Sequence, residues 1–387
     1  MLRAGKYIAI LFFLFATSQT LFAQADTSRS DTAMKSDTSR SDSIKKSDHG
    51  IVAAPFLQYA PETQLAFGAA GLYYFHISGD SLEDSVNRPS SISLGATYTL
   101  RHQFSTGMDY TLNFSHNNYY IYGGFEFQRY PFKFFGIGDH NPKDPIDNYT
   151  PLFWEGDLLM TRNVIRTQKG VGLSAGIATL YRHDQILNSN SGGILDTGKL
   201  PGAKGGSSAG WGIITMYDTR DNANSTLEGQ FIDFRTMFFA KTFGSSYSFI
   251  KLTLDTRDFI SVFTKNVIAF QGLFTLTNGG DPFYTMAQLG GENNMRGYFQ
   301  GRFRDNDMAV LQSEYRLPVI WKFGLVGFAD IGEVAGTLKE FSFPGIKWTA
   351  GAGIRFLFSE SERIVVCFDV GFGSDCSAVY FYVKEAF

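Results

Sequence analysis

Apolar and polar residues alternate with period two along most of the chain. Between Ser105 and Ser115, Met108, Tyr110, Leu112 and Phe114 fall on one face and Asp109, Thr111, Asn113 and Ser115 on the other. The split recurs over 249–255, where Ile250, Leu252 and Leu254 oppose Lys251, Thr253 and Asp255. It recurs again over 364–373, where Ile364, Val366, Phe368, Val370 and Phe372 oppose Val365, Cys367, Asp369, Gly371 and Gly373. A 3.6-residue helical period would scramble these faces, so each segment reads as a strand.

Scanning the chain for such segments predicts strands near 51–59, 63–75, 91–101, 104–115, 119–129, 149–162, 168–182, 206–218, 227–240, 245–258, 265–277, 307–317, 322–333, 346–358, 362–372 and 377–387, sixteen in all. The even number suits an all-β fold, a 16-stranded antiparallel transmembrane β-barrel with both ends on one side of the membrane. Loop lengths agree with that orientation. The three longest connections, 130–148, 183–205 and 278–306, follow odd-numbered strands, and those after even-numbered strands are short except 76–90. Bacterial barrels place short turns on the periplasmic side and long loops outside.

Composition narrows the class. The 38 Phe, 19 Tyr and 41 Gly, with near-zero overall hydropathy, fit strands whose alternate residues meet lipid and a polar lumen. A net charge of −3 argues against a nucleic-acid partner. Outer-membrane lipid is the expected surroundings.

The N-terminus sets the compartment. Arg3 and Lys6 precede an apolar run from Tyr7 to Ala16, with small residues at Ala23 and Ala25. This is the pattern of a secretory signal over 1–25, too short to remain as a spanning helix. Residues 26–49 carry five acidic and five basic residues among Ser and Thr, with a short segment echoed eleven positions on. Such a stretch cannot bury a core and reads as a disordered leader. The barrel is expected over 50–387, with no room for a periplasmic domain before it.

Few residues offer catalytic chemistry. His49, His76, His102, His116, His140 and His183 lie in the leader, at strand ends or in loops, without metal-ligand spacing. Ser115-His116 is the nearest approach to a lipid-acting rim site, but no partner can be nominated, and Gly170, Gly172 and Gly176 precede no helix. No enzymatic activity, metal or cofactor is expected. Cys367 and Cys376 flank a hairpin turn at an offset too large for a disulfide. Tyr217 to Asn222 and Asp255 to Asp258 fall where strands meet periplasmic turns, and turn chemistry accounts for them.

Met295-Arg296-Gly297-Tyr298 lies in the long Gly- and Asn-rich loop after the eleventh strand, and Phe328, Asp330 and Gly332 share one face of the thirteenth. The segment from Gly290 to Tyr298, the Phe328-Asp330-Gly332 pattern, Glu314-Tyr315-Arg316-Leu317-Pro318 and Tyr217 to Asn222 together make the chain resemble the BamA/TamA superfamily of outer-membrane assembly and translocation barrels, the bacterial surface-antigen family. The resemblance implies that the sixth extracellular loop folds into the lumen and that Arg296 pairs with Asp330 on the wall, with Glu314, Arg316, Arg355 and Asp369 able to join the network. It also implies a C-terminal export signal ending at Phe387, although Glu385 departs from the usual apolar residue. The implied function is insertion or translocation of proteins at the outer membrane of a Gram-negative bacterium. Its partners would be client outer-membrane proteins and, without POTRA domains, a separate periplasmic factor. Pro55 in the first strand cannot donate a ladder hydrogen bond, so the first-to-last seam is expected to be poorly zipped. The other readings are a gated or passive pore with the loop as plug and, more remotely, a lipid-acting barrel enzyme.

Overall fold

The computed structural model describes residues 49–77, 89–115, 117–165, 172–263, 265–360, 363–374 and 376–387. The expected signal peptide, the leader up to residue 48, His116 and Gly170 lie outside the described residues. Sixteen wall strands run β1 His49–Ala60, β2 Gln64–Phe75, β3 Ser90–Thr99, β4 Phe104–Phe114, β5 Tyr119–Arg129, β6 Asp147–Ile165, β7 Gly172–Ser189, β8 Gly206–Asp218, β9 Gly229–Phe239, β10 Phe249–Val262, β11 Asn266–Thr277, β12 Asp307–Ile320, β13 Phe323–Ala335, β14 Lys347–Ser359, β15 Ile364–Gly373 and β16 Cys376–Val383. Each pairs antiparallel with its sequence neighbour, and β1 meets β16 to close the barrel.

Alternation sets the two faces. On β12, Gln312, Glu314 and Arg316 are buried while Leu311 and Tyr315 between them are exposed. On β16, Ala378, Tyr380 and Tyr382 are buried and Val383 is exposed. Outward residues line the outer surface of the barrel, and inward residues meet the loop or the lumen.

The wall is uneven in height. β6 and β7 have 19 and 18 residues, whereas β16 has 8. A bilayer needs about 9–11 residues per tilted strand, so the tall wall rises beyond it. β6 also pairs with a three-residue strand, Phe132–Phe134, that prolongs the β5 side.

The loop after β11 carries a small hairpin of its own, Ala287–Leu289 against Phe303–Asp305. Ala287, Leu289, Met295, Tyr298 and Phe303 pack with Met308, Val310 and Val334 of the wall into one apolar cluster. A second cluster joins Phe283 and Tyr284 to Phe134 of the short strand, Tyr149 of β6 and Leu195 of the loop after β7. Burial of these side chains opposes the entropy of ordering so long a connection.

Candidate functional site

The tip of this loop rests against the inner face of β12 to β16. Met295 adopts φ of 68°, and its N–H donates to Gln312 Oε1 at 3.0 Å. Its sulfur fills the space above Gly332, where an added Cβ would lie 2.7 Å from Sδ. Gly297, at φ of 126°, lets the backbone pass close over β15. A Cβ at Gly371 would lie 2.5 Å from the carbonyl oxygen of Arg296, so glycine at that wall position permits the contact.

Arg296 is fully buried. Its Nη1 donates to Asp369 Oδ2 at 2.7 Å and to the Tyr382 hydroxyl at 3.3 Å. Its Nη2 stands 2.6 Å from Glu314 Oε1. That contact lacks hydrogen-bond alignment and acts as a close charge pair. The guanidinium stacks 3.8 Å over the Phe328 ring, and the ring lies so close to Gly351 that a Cβ there would sit 2.3 Å from its Cζ. Small residues on the wall, an aromatic plate and an arginine thus form three layers.

The charges continue toward the end of the barrel that carries the short β12–β13 turn. Arg316 donates from Nε to Glu314 Oε2 at 2.8 Å. Arg355 pairs with Asp369 and, at 2.7 Å, with Glu385. The network thus balances Arg296, Arg316 and Arg355 against Glu314, Asp369 and Glu385. Balance of this kind is what makes buried charge tolerable.

The structure corrects the expected Arg296–Asp330 pair. Among the described residues no ion pair joins them. Asp330 Oδ2 accepts from the Thr349 hydroxyl at 3.1 Å, and its Oδ1 has no hydrogen-bond partner. The reason is register. Asp330 stands opposite Thr349, whereas Phe328 stands opposite Gly351 and Glu314. A guanidinium laid over Phe328 therefore meets Glu314 and reaches Asp369 on β15 instead. Phe328 and Gly332 touch the loop as plate and cradle, and Glu314, Arg316, Arg355 and Asp369 all lie in the network.

The end of the chain also departs from expectation. β16 stops at Val383 rather than running to 387. Lys384 takes φ of 74°, and the backbone turns inward. Glu385 binds Arg355, and Phe387 packs with Phe259, Val267 and Ala269 inside the far wall, while its main-chain oxygen accepts from Arg316 Nη2 at 3.0 Å. The position where an apolar residue was expected carries the carboxylate that completes the network. Phe387, expected as an export signal on the last strand, is buried in the lumen.

Seam pairing is sparse. Among the described residues, β1 and β16 share one ladder position, Tyr59 opposite Phe381, against twelve between β1 and β2 and eight between β15 and β16. Pro55 lies in β1 opposite Ala69 of β2.

At the short turns, Asp218 pairs with Arg220 at 3.1 Å and Asp221 pairs with Arg363 of the β14–β15 turn, whereas Asp255 to Asp258, expected at a turn, lie within β10 between β9 and β11, where Asp255 pairs with Arg257 at 2.6 Å. Cys367 and Cys376 are free, the former buried and opposite Tyr382. Sequence reasoning passed over Tyr380, Tyr382 and Glu385 as members of the site. The signal for the tyrosines was present, because both fall on the inward face of β16, where an aromatic hydroxyl needs a partner.

Comparison with known proteins places this geometry. The Omp85 superfamily domain matches residues 70–359. Among solved structures, the chain is similar to BamA from Haemophilus ducreyi lacking POTRA domains 1–3, at 14% identity over 87% of this chain and 70% of that one, with a TM-score of 0.58. It is similar to CdiB from Acinetobacter baumannii, at 14% identity over 87% and 59% of the two chains with a TM-score of 0.55. CdiB from Escherichia coli gives 12% identity, 88% and 63% coverage and a TM-score of 0.57. These likenesses are of fold, and the chain spans less than two thirds of either CdiB. No curated protein matches the sequence.

Proposed function

The chain belongs to the Omp85 superfamily, and from that footing we propose that it sits in the outer membrane of a Gram-negative bacterium and assists insertion or translocation of other proteins there, as BamA/TamA-type barrels do. The observation that carries this reading is the seam. With Tyr59–Phe381 as the single ladder position between β1 and β16, β1 presents backbone donors and acceptors along its β16-facing edge. Such an edge is a template for a strand of another chain. Among the described residues every other pair of neighbouring wall strands shares eight or more ladder positions, so opening is cheapest here. Client chains would reach the seam through a separate periplasmic partner, and the outward faces meet outer-membrane lipid. The test is depletion followed by a census of outer-membrane proteins. Loss of particular barrels or secreted proteins supports the reading, and unchanged levels of all of them refute it.

A second reading, a gated or passive pore with the loop as plug, is favoured by one feature. The loop rests on β12 to β16, and across the lumen a cavity of about 350 Å³ is lined by Asp109, Tyr122, Glu126, Glu155 and Asp157 of β4 to β6. Planar-bilayer conductance distinguishes the two, since a steady current unaltered by replacing Arg296 belongs to a passive channel.

A further inference from the structure

We propose that the 278–306 loop is an internal strap that holds the β1–β16 seam closed by gripping both of its edges, and that the grip on the β1 side is the one that releases. The proposal is independent of the assembly reading, because a pore in the same barrel would need the same closure.

On the β16 side, the Tyr380 hydroxyl accepts from the Gly297 N–H and donates to the Tyr298 carbonyl, both at 3.1 Å. Arg296 donates to the Tyr382 hydroxyl, which donates in turn to Asp369 at 2.6 Å. On the other side, Gln58 of β1 donates from Nε2 to Glu292 Oε2 at 3.0 Å. The Gln300 N–H donates to Glu62 Oε1 at 2.5 Å, in the turn that joins β1 to β2. One short stretch, 292–300, thus bonds to both edges of a seam whose own ladder has one position.

The two grips differ in kind. The β16 grip is continuous with the Arg296 network and its balancing carboxylates. The β1 grip rests on two glutamates, neither of which forms an ion pair among the described residues. Glu62 is 4% exposed. It is faced by Glu292 of the loop, Arg101 of the β3–β4 turn, Tyr130 beyond β5 and Tyr380 of β16. Gln103 holds its backbone, donating from Nε2 to the Glu62 carbonyl at 3.1 Å. Buried carboxylates without a paired cation bind weakly and yield first.

The experiment is a spin-label distance measurement on the full chain in nanodiscs, with labels at Leu57→Cys and Val379→Cys in a Cys367→Ala, Cys376→Ser background. The unaltered loop should give one narrow distance distribution. Gln58→Ala with Glu62→Ala should add a population longer by about one strand spacing, ~5 Å or more. Tyr380→Phe, which cuts the other grip at both hydroxyl bonds, should do the same. Glu62→Gln keeps an acceptor for Gln300 and should leave the distribution narrow. Where the double variant does not fold, Gln58→Ala alone removes one bond and serves in its place. A distribution unchanged in both the β1-side variant and Tyr380→Phe, in barrels that remain folded by heat-modified mobility, overturns the proposal, as does broadening by Glu62→Gln.

Discussion

Arg296 donates to Asp369 across 2.7 Å, and both side chains are fully buried. The loop arginine therefore joins β15, next to the last strand, and leaves Asp330 of β13 to Thr349. This choice of partner separates the carboxylates of the inner wall into two groups with different consequences.

Removing either Glu314 or Asp369 leaves buried cations without their counter-charge. Glu314→Gln and Asp369→Asn are expected to cost ~3–5 kcal/mol each, and Arg296→Ala a similar amount. Asp330→Asn should cost about 1 kcal/mol or less, because only the Thr349 hydroxyl bond is touched. Denaturant unfolding of the four variants in detergent checks the order. Equal loss at Asp330 and Asp369 would restore the pairing expected from sequence.

Gly371 of β15 and Gly327 of β13, with β14 between them, make a contrasting pair of glycines. A Cβ at Gly371 would sit 2.5 Å from the Arg296 carbonyl oxygen, and one at Gly327 would meet nothing within 4 Å. Gly371→Ala should displace the loop tip and cost ~1–3 kcal/mol. Gly327→Ala should be silent. Protease sensitivity of the 278–306 loop reads the displacement directly.

Glu62 gives the loop a pH dependence. Burial pushes its carboxyl up from 4.5 to about 7, against the lowering effect of the Gln300 N–H and of Arg101, and Glu292 adds to the rise. The docked loop then holds this proton more tightly than an exposed glutamate does. Docking is strongest below pH 4.5, weakens as pH rises through about 7 and is flat beyond. Glu62→Gln, which cannot ionise, should abolish that slope. Proteolysis of the loop between pH 5 and pH 8 provides the comparison, and identical slopes in the two proteins would remove Glu62 from the account.

Any current through the barrel should prefer cations. Asp109, Glu126, Glu155 and Asp157 line the open side of the lumen; Arg182 nearby is shared between Asp184 and Glu155 and Arg235 pairs with Asp233, which leaves Asp109, Glu126 and Asp157 outside any ion pair among the described residues. Reversal potentials in a salt gradient test this. Anion preference would show that conduction follows another path.

Much of this was legible in the sequence. Period two alone puts Glu314, Asp330 and Asp369 on the inner wall, and strand parity places the 278–306 loop outside β11 and β12. Which carboxylate Arg296 meets depends instead on stagger across four strands, since Asp369 pairs with Gly353 and Phe328 with Gly351. No single strand's pattern carries that offset. The inward turn at Lys384 was hidden for a related reason. The alternation of Tyr380, Tyr382 and Lys384 continues smoothly, and it is Arg355 and Arg316, far away in sequence, that meet Glu385 off the strand. Pro55 did mark β1 as the strand at which the ladder is thinnest.

Locking the seam tests the central claim most directly. In a strain that depends on this barrel, with the two native cysteines replaced, Tyr59→Cys and Phe381→Cys stand opposite each other at the one shared ladder position and within reach of a disulfide. Oxidation is expected to halt delivery of the barrel's client outer-membrane proteins, and reduction to restore it. Full delivery through an oxidised, crosslinked seam would contradict that claim.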